Sequence, residues 1–235
     1  MAPRRATLPT IVAMCETSSS LAGLADPARE ALLAIAHPRK VRRGDVVVAE
    51  GRRPDAFFVV RAGRFKMCRG TAAGRNLILA LAGPGERFGV SGALSGDAAT
   101  ASWEAMSDGE LLAVGRRDFY ALLAGSPQLI PELVPWLTRN LVECRNCIVE
   151  TSCSRVESRF AALFLALAET TGRVAEGALR IAQPLSRQEL ADLTGTTLET
   201  AIRVMTRWSR EGVVATRPDG FLLLDRPRLE ALSWS

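Results

Sequence analysis

The sequence predicts an α+β protein whose first half is rich in strands and whose second half is rich in helices. Three observations support this order. Short runs of β-branched and aromatic residues, separated by glycines, fill residues 45–119. Residues 136–169 then contain neither glycine nor proline, which is typical of a long helix. Two short capped helices and a hairpin follow near the end of the chain.

The composition limits the class of protein. The 235 residues are 48% hydrophobic and 23% charged, and no apolar run reaches the ~18 residues of a membrane helix. The apolar patch near the N-terminus is too short for a signal peptide, so a cytoplasmic protein without a membrane partner is expected. The five cysteines then stay reduced, and their odd number argues against a disulfide framework. The net charge of +5 indicates an anionic partner such as nucleic acid.

The first part of the chain is predicted to be an arm followed by a β-roll. Residues 1–20 carry proline, arginine and serine without periodicity, which is typical of a loose arm. Residues 24–40 have apolar side chains at helical spacing and end at a proline. The tripeptide Arg-Ala-Gly at 61–63 predicts a hairpin turn, and the β-roll domain is assigned to residues 21–130. Strands are predicted in four runs, at 45–51, 55–70, 75–89 and 109–119.

A long helix is predicted over residues 131–157. Residues at the spacing 4-3-4-3 along it form a coiled-coil seam, which has a period of 3.5. The seam consists of Leu137, Leu141, Cys144, Ile148 and Thr151. Such a helix can pack on its own domain, but a long helix that leaves a β-domain more often pairs with its own copy. A homodimer is therefore expected.

The C-terminal domain, residues 158–235, is predicted to be a winged helix-turn-helix. Ser186 and Glu189 form a capping box at the start of one helix, and Gly195 ends it. Thr197 caps a second helix, which a further glycine ends. Two short helices joined by a short turn that contains glycine are the signature of a helix-turn-helix. Apolar runs on both sides of Arg-Pro-Asp-Gly then predict a β-hairpin, the wing.

The stretch LSRQELADLTGTTLETAIRVMTRWSREGVV, together with GDVVVAEG and DAFFVVRAGRFKM, resembles the CRP/FNR family of bacterial transcription regulators. The resemblance implies a β-roll like a cyclic-nucleotide-binding jelly roll, a dimerisation helix and a winged helix-turn-helix, over nearly the whole chain. It also implies a homodimeric regulator that binds double-stranded DNA and RNA polymerase. In this family the second helix of the motif enters the major groove. The matching base-reading positions are Glu199, Ile202 and Arg203.

The chemistry of these three side chains fits base reading. Arginine can donate two hydrogen bonds to guanine, and glutamate can accept one from the amino group of cytosine. Glu199 and Arg203 lie four residues apart on one helix face. A surface ion pair between them is the alternative interpretation, and it is compatible with base reading. Ile202 cannot donate a hydrogen bond and suits a thymine methyl group.

Position 198 indicates the branch of the family. Leu198 stands where the cyclic-AMP-receptor branch has a second base-reading arginine, which favours the fumarate-nitrate branch and palindromic DNA with TTGA-like half-sites. Ile202 stands where that branch has serine, so the outer bases of the DNA site are left open. Contacts to phosphate fix the register on DNA rather than the sequence. They are predicted for Ser186, Arg187, Thr196, Thr197 and Arg207.

The ligand cassette of the family's β-roll is not matched. Cyclic nucleotides are bound there through a cassette resembling Phe-Gly-Glu followed by Arg-Ser, whose glutamate takes the ribose hydroxyl and whose arginine takes the phosphate. Val90 stands at the glutamate position, and Thr100 and Ala101 stand at the Arg-Ser positions. Without a cation, a buried phosphate would stay unpaired. No cyclic-nucleotide binding is therefore expected.

Cys144, Cys147 and Cys153 follow the spacing C-x2-C-x5-C. The spacing resembles that of cluster ligands in the fumarate-nitrate regulator, which implies a [4Fe-4S] cluster that senses oxygen, nitric oxide or redox state. Cys15 is then the expected fourth ligand. On a straight helix, Cys144 and Cys147 are about 60° apart, whereas Cys153 is about 180° from Cys144. A shared cluster therefore requires a break in the helix.

Two other interpretations of these cysteines stay open. Cys144 and Cys147 of both subunits can meet across the seam, where they could bind a metal or form a disulfide between subunits. The cysteines can instead be inert, as small buried apolar residues. The regulator would then be gated by a small ligand, depend on haem, or be constitutive.

The remaining candidates point to no other chemistry. His37, the only histidine, precedes a proline at a predicted helix end, so a capping or surface role is expected for it, with a haem ligand as the less favoured alternative. Cys68 lies on a predicted strand and is expected to fill space. A single histidine and the lack of a catalytic constellation argue against an enzyme. The alternative of another class is a ligand-binding module whose helix-turn-helix has lost DNA binding.

Overall fold

The computed structural model describes residues 26–71, 74, 76–131, 155–175 and 178–233. These residues divide into two compact units, one before and one after the interval between 131 and 155. The predicted arm, nearly all of the predicted long helix with its seam, and four of the five cysteines lie outside the described residues. Those four are Cys15, Cys144, Cys147 and Cys153.

The first unit is a β-roll with helices at its ends. Its helices are α1 (Asp26–Ala34), α2 (Val90–Ser95) and α3 (Arg116–Gly125). Its strands are β1 (Ala36–Val41), β2 (Val46–Val48), β3 (Ala56–Ala62), β4 (Phe65–Gly70), β5 (Asn76–Ala82), β6 (Arg87–Phe88), β7 (Ser102–Ala105) and β8 (Gly109–Gly115). They form two antiparallel four-stranded sheets, in the orders β1-β8-β3-β6 and β2-β7-β4-β5.

Aromatic side chains fill the interior of the roll. Phe88 lies at the centre of this group, with its ring centroid 4.4 Å from that of Trp103, 5.3 Å from Phe65 and 5.4 Å from Phe58. All four rings are buried among aliphatic residues of both sheets. Since aromatic side chains contribute the largest buried areas of any residue type, this cluster dominates the packing of the roll.

The helices cover a second, outer cluster. Val90 and Ala93 of α2 pack with Phe57 of β3 and Phe119 of α3, and the last two rings meet edge to face at 5.2 Å. The Tyr120 hydroxyl on α3 donates a hydrogen bond of 2.6 Å to the Leu94 carbonyl near the end of α2. Helix α2 is therefore held by apolar burial on one side and by α3 at its C-terminal end.

Two local predictions in this unit are wrong. Residues 36–40 do not continue the first helix but form β1, an edge strand paired with β8. Pro38 is tolerated in β1 because the outer side of an edge strand has no partner strand to which an N–H would have to donate. The turn at 61–63 does not close a hairpin, since β3 and β4 belong to different sheets. Gly63 has a φ of +94°, and a Cβ there would lie 2.8 Å from the backbone of Gly109, so the chain crosses between the sheets at a position that requires glycine.

The second unit is a winged helix-turn-helix, as the sequence predicts. Its helices are α4 (Val156–Thr171), α5 (Arg187–Thr194), α6 (Leu198–Arg210) and α7 (Arg226–Ser233). Its strands are β9 (Gly172–Ala175), β10 (Ala178–Ile181), β11 (Val214–Arg217) and β12 (Gly220–Leu223). They form one antiparallel sheet in the order β11-β12-β10-β9, in which β11 and β12 are the predicted wing.

The core of this unit lies between α4, α6 and the wing. Phe164 of α4 has its ring centroid 5.0 Å from Phe221 of β12 and 6.2 Å from Trp208 of α6. All three rings are buried. Strands β9 and β10 and helix α7 were missing from the sequence prediction. Within the described ranges, no helix has the length and apolar character needed to cross a membrane.

Candidate nucleic-acid interface

The two helices of the motif begin and end as their caps predict. The Ser186 hydroxyl accepts a hydrogen bond of 3.1 Å from the Glu189 N–H, and the Glu189 carboxylate accepts one of 2.8 Å from the Ser186 N–H. Gly195 adopts the left-handed conformation that ends α5. Thr197 caps α6 by accepting a hydrogen bond from the Thr200 N–H. The Ser186 and Thr197 caps satisfy N–H groups that the helices themselves leave free, and the Gly195 N–H donates to the Ala191 carbonyl at the end of α5.

Helix α6 has one buried side and one exposed side. Four residues of α6 pack into the core and are at most 4% exposed. They are Ala201, Val204, Met205 and Trp208. The opposite side is open to solvent along the whole helix. The exposed residues of α6 are Leu198, Glu199, Ile202, Arg203, Thr206, Arg207, Ser209 and Arg210. This side contains all three predicted base-reading residues.

Glu199 and Arg203 do not pair with each other. Among the ion pairs between described residues, none joins these two side chains within 4 Å. The pKa of Glu199 is held below its usual value by a hydrogen bond from its own backbone N–H and by one from the Thr197 side chain. Glu199 is therefore an anion at neutral pH, and its carboxylate can only accept hydrogen bonds. Its two hydrogen bonds hold the carboxylate at the first turn of α6.

The predicted phosphate contacts lie on or beside this interface in different roles. Ser186 and Thr197 use their hydroxyls in the two caps, and the Thr196 N–H donates to the Ala191 carbonyl at 2.9 Å in the turn between the helices. The Arg187 guanidinium donates to the Thr216 hydroxyl at 2.7 Å and so links α5 to the wing. Partial burial lowers the pKa of Arg187 from its usual value.

Arg207 lies in an ion network that joins three helices. Its Nη2 atom is 2.5 Å from a carboxylate oxygen of Glu157 on α4, and its Nε atom is 3.9 Å from Glu211. Glu211 also pairs with Arg228 on α7. The hydrogen bond that Arg207 donates to Glu157 raises the pKa of Arg207. The two carboxylates engage Nη2 and Nε, which leaves the Nη1 group of this guanidinium for a phosphate.

The wing adds exposed polar residues that the sequence prediction did not include. Thr216 and Arg217 end β11 and are exposed, and Arg180 on β10 pairs with Asp219 in the wing turn. The hydrogen bond between Arg187 and Thr216 ties this hairpin to α5 within the same unit. The signal was present in the sequence, since Arg217 directly precedes the Pro-Asp-Gly turn.

The three cassette positions of the β-roll have apolar or exposed surroundings. Val90 is 3% exposed within the outer cluster, and Ala101 is 2% exposed within the inner one. Thr100 is exposed. Val90 and Ala101 are thus part of the packing, in two different clusters, and neither side chain has a polar group for a ribose hydroxyl or a phosphate.

Two charged residues just before the cassette are largely buried. Burial raises the pKa of Glu86 to about 7, although its carboxylate accepts a hydrogen bond of 2.6 Å from the Gly83 N–H. Burial also lowers the pKa of Arg87 to about 10. Arg87 is 3% exposed. Sequence reasoning missed both residues because a strand of two residues gives no clear burial pattern.

The structure describes only two of the residues that were considered as ligands of a sensor group. Cys68 lies half-buried on β4, and His37 is exposed on β1 rather than at a helix end. The four cysteines of the predicted cluster site lie outside the described residues. Among the residues that the structure describes, no group of three or more His, Cys, Asp and Glu side chains could hold a metal ion.

Comparison with known proteins identifies relatives of both units. A model described as "Cyclic nucleotide-binding domain" matches residues 38–126, and one described as "Crp-like helix-turn-helix domain" matches residues 158–232. The cyclic AMP receptor protein of Thermus thermophilus is 30% identical over 213 residues, which cover 90% of this chain and 95% of that protein. The nitrogen fixation regulation protein FixK of Bradyrhizobium diazoefficiens is 28% identical, over 81% of this chain and 79% of that protein.

A solved structure supports the fold. The structure of FixK2 from Bradyrhizobium japonicum matches with a TM-score of 0.73 at 22% identity, and the match covers 84% of this chain and 97% of that one. At this identity the likeness establishes the architecture and leaves the function to the residues of the interface.

Proposed function

The chain belongs to the CRP/FNR family of DNA-binding transcription regulators, and from this premise we propose that it binds DNA sequence-specifically as a homodimer. The observation that carries the proposal is the exposed side of α6. Glu199 and Arg203 lie there without pairing with each other, on a helix whose other side is buried. Their hydrogen-bonding groups are thus available to base edges, where glutamate accepts from cytosine and arginine donates to guanine.

The homodimer supplies two copies of this interface. Two helix-turn-helix motifs related by a twofold axis read palindromic half-sites about 34 Å apart. The absence of arginine at Leu198 favours TTGA-like half-sites over those of the cyclic-AMP-receptor branch. Pairing through the predicted seam and recruitment of RNA polymerase are part of the proposal by membership of the family.

Selection of bound sequences from random DNA by the full chain tests the reading of bases. We expect a palindrome, and we expect Arg203→Ala to reduce the preference for it over random DNA by at least tenfold, since each subunit loses a bidentate contact. Arg210→Ala is the matched control, because it removes the same charge from the same exposed side at the other end of α6. The control lowers affinity for all sequences alike. Failure to select any sequence would contradict the proposal and favour a ligand-binding module without DNA binding.

We propose further that the protein binds this DNA without a cyclic nucleotide. Two relatives are named for cyclic AMP, the Thermus thermophilus receptor and a cAMP-activated global regulator of Mycobacterium tuberculosis. This chain differs at the positions that matter for such a ligand, since Val90 and Ala101 are buried apolar residues and Thr100 carries no charge. The support is thus chemical: neither an acceptor for the ribose nor a cation for the phosphate stands at these positions.

For the signal, we propose a [4Fe-4S] cluster held by Cys144, Cys147 and Cys153, with Cys15 as the fourth ligand. The support is the spacing of the thiols and their number, because four thiolates are the usual complement of such a cluster. When bound, the cluster would supply a reaction with oxygen, nitric oxide or oxidants. The chain's own contribution is to hold the thiolates on the segment predicted to form the dimer seam, where a change in packing would alter the spacing of the two motifs.

An absorption spectrum of anaerobically purified protein tests this signal. The expected result is a broad band near ~400 nm that bleaches in air, with iron and acid-labile sulfide in equal amounts. Cys→Ser variants at 15, 144, 147 and 153 should each lose the band. Cys68→Ser is the matched control and should keep it, since Cys68 lies on β4 of the roll. A colourless, iron-free protein that still binds its DNA site would contradict the cluster and leave thiol oxidation or another ligand as the signal.

A further inference from the structure

We infer that the Thr216 hydroxyl on the wing binds a phosphate of the DNA backbone and that Arg187 is the positioning residue that orients this hydroxyl, so that Arg187 acts on DNA through Thr216. The inference rests on the proposed function and deepens it. It changes the role of Arg187, for which the sequence predicted a direct phosphate contact, and it adds a wing residue that the sequence prediction did not include.

The two residues come from elements that flank the helix proposed to read the bases. Arg187 is the first residue of α5 and Thr216 lies on β11, and both of these elements pack against α6. If α6 lies in the major groove, as proposed, the elements beside it face the phosphate backbones that border the groove. The hydrogen bond between α5 and β11 is therefore placed beside the DNA backbone.

This hydrogen bond leaves the proton of the threonine hydroxyl for another acceptor. The Arg187 Nη2 group donates to Thr216 Oγ1 at 2.7 Å. A threonine hydroxyl has two acceptor lone pairs and one proton, whereas arginine can only donate. The proton of Thr216 therefore points away from Arg187. Among the hydrogen bonds between described residues, none has this hydroxyl as its donor.

The guanidinium makes this hydroxyl a stronger donor than an ordinary threonine. Hydrogen bonds from an ionised donor are roughly twice as strong as neutral ones, and a hydroxyl that accepts such a bond is polarised towards its own proton. The two residues also differ in exposure, since Arg187 is half-buried and Thr216 is exposed. The hydroxyl is thus the outer group of the pair and meets an approaching anion first.

The charges around Thr216 favour an anion. The wing, residues 214–223, carries two charged side chains, Arg217 and Asp219. Asp219 is paired with Arg180 of β10, whereas no ion pair between described residues involves Arg217. The Arg217 Nη1 group donates to the Thr216 carbonyl at 3.4 Å, which holds this cation near the hydroxyl. A phosphate at Thr216 therefore meets a cation, and the carboxylate of the wing is already compensated.

A scan of the selected DNA site with methylphosphonates tests the inference, because each replacement removes the charge of a single phosphate. The full chain is titrated with duplexes that carry one methylphosphonate in one half-site. For one phosphate, the Thr216 phosphate, we expect wild-type binding to weaken by about tenfold, the effect of a hydrogen bond to a charged group. In Thr216→Val, which keeps the branched shape without the hydroxyl, this response should fall below twofold. Thr216→Ser keeps the hydroxyl and should keep the response.

Variants of Arg187 show whether this residue acts through Thr216. Arg187→Ala should reduce the response at the Thr216 phosphate, and in a Thr216→Val background it should change DNA affinity by less than twofold. Arg187→Lys can still donate to the hydroxyl and should restore part of the response. Arg217→Ala is the matched control, since it removes a neighbouring cation: it should weaken binding but keep the response at the Thr216 phosphate. Circular dichroism checks that each variant folds.

The outcomes separate this inference from the proposed function. If Thr216→Val keeps the full response at every phosphate, the inference is overturned and the proposed function stands. The inference is equally overturned if Arg187→Ala still weakens binding by more than twofold in the Thr216→Val background, because Arg187 would then contact DNA directly. If no specific site is selected, the proposed function itself fails and the inference falls with it.

Discussion

The β-roll unit and the winged helix-turn-helix unit differ in the exposure and polarity of the residues at their predicted functional positions. In the winged unit, Glu199 and Arg203 are exposed polar residues on a helix whose core side is complete without them. In the roll, Val90 and Ala101 occupy the positions of ligand-binding groups but are buried in apolar clusters. One unit therefore has polar side chains exposed at its predicted site, whereas the other has buried apolar side chains at two positions of the predicted cassette.

If this roll binds no cyclic nucleotide, as we propose, the difference teaches that a fold can be retained while one of its sites is lost. Side chains that bind a ligand cost stability when they are buried, because their polar groups must leave water. Replacing them by valine and alanine removes this cost and adds apolar contact. A matching family model for residues 38–126 therefore establishes the architecture of the roll, and only the residues at the cassette decide on the ligand.

The largest expected effect comes from restoring a carboxylate in the roll. Val90→Glu should lower the free energy of unfolding by about 3–5 kcal/mol at pH 7, since it buries an unpaired charge in an apolar cluster. Val90→Gln has the same size without the charge and is the matched control. Denaturant unfolding should show a gap between the two variants that closes as the pH falls and the glutamate becomes protonated. If Val90→Glu is as stable as wild type and also binds a cyclic nucleotide, the side chain at position 90 faces a ligand cavity and is not packed in the apolar cluster.

The converse change in the winged unit should affect DNA and leave the fold intact. Glu199→Ala is expected to weaken binding to the selected site by about tenfold or more per half-site, because an acceptor for the base edge is lost. Its unfolding midpoint should stay close to that of wild type, since Glu199 is exposed. Ser209→Ala, on the same exposed side near the other end of α6, controls for the position on the helix. A fall in stability without a change in sequence preference would assign Glu199 to the cap alone.

The buried carboxyl of the roll should make stability depend on pH. The pKa of Glu86 is raised to about 7, above its value in the unfolded chain, so its protonated form favours folding. This contribution is complete below about pH 4.5 and is lost as the pH rises through about 7. Glu86→Gln keeps an acceptor for the Gly83 N–H and removes the charge.

We therefore expect Glu86→Gln to be more stable than wild type by ~1–3 kcal/mol at pH 8 and equally stable at pH 4. Chemical unfolding at both values measures the difference. Glu104→Gln, on the neighbouring sheet with its carboxylate paired to Lys66, is the control and should show no such gain. An equal effect of Glu86→Gln at both pH values would contradict the assigned pKa.

The smallest expected effect concerns Arg207. If its Nη1 group contacts a phosphate, Arg207→Ala should weaken binding to all sequences alike and reduce the slope of log affinity against log salt by about one per subunit. Arg228→Ala is matched, because Arg228 shares the carboxylate of Glu211 but has no predicted contact with DNA. An unchanged salt slope in Arg207→Ala would mean that its only role is the network with Glu157 and Glu211. Loss of these half-exposed pairs should cost ~1 kcal/mol of stability or less.

The elements that the sequence predicted correctly are those fixed by residues close together in the chain. The capping box of Ser186 and Glu189, the glycine at 195 and the wing turn each act within a few residues, so the helix-turn-helix and the wing follow from the sequence. Strands β9 and β10 and helix α7 did not follow from it. The turn at Gly63 was misjudged because pairing of strands is decided by distant partners: β3 pairs with β8, and β4 with β5 and β7.

At the DNA interface, too, contacts between residues far apart in the chain could not be predicted from the sequence. The spacing of Glu199 and Arg203 places them on one helix face, and family resemblance supplies their role. The links from Arg187 to Thr216 and from Arg207 to Glu157 join residues far apart in the chain, and no sequence pattern marks such pairs. The burial of Val90 and Ala101 likewise follows from tertiary packing, although their residue types alone excluded the chemistry of the cassette.

The affinity of the full, anaerobically purified chain for its selected palindrome, measured with and without cyclic AMP, tests the contrast between the two units most directly. We predict tight and specific binding that changes by less than twofold on addition of the nucleotide. Specific binding that appears only when cyclic AMP is present would contradict it, because the roll would then hold a nucleotide without the carboxylate and the cation that Val90, Thr100 and Ala101 do not supply.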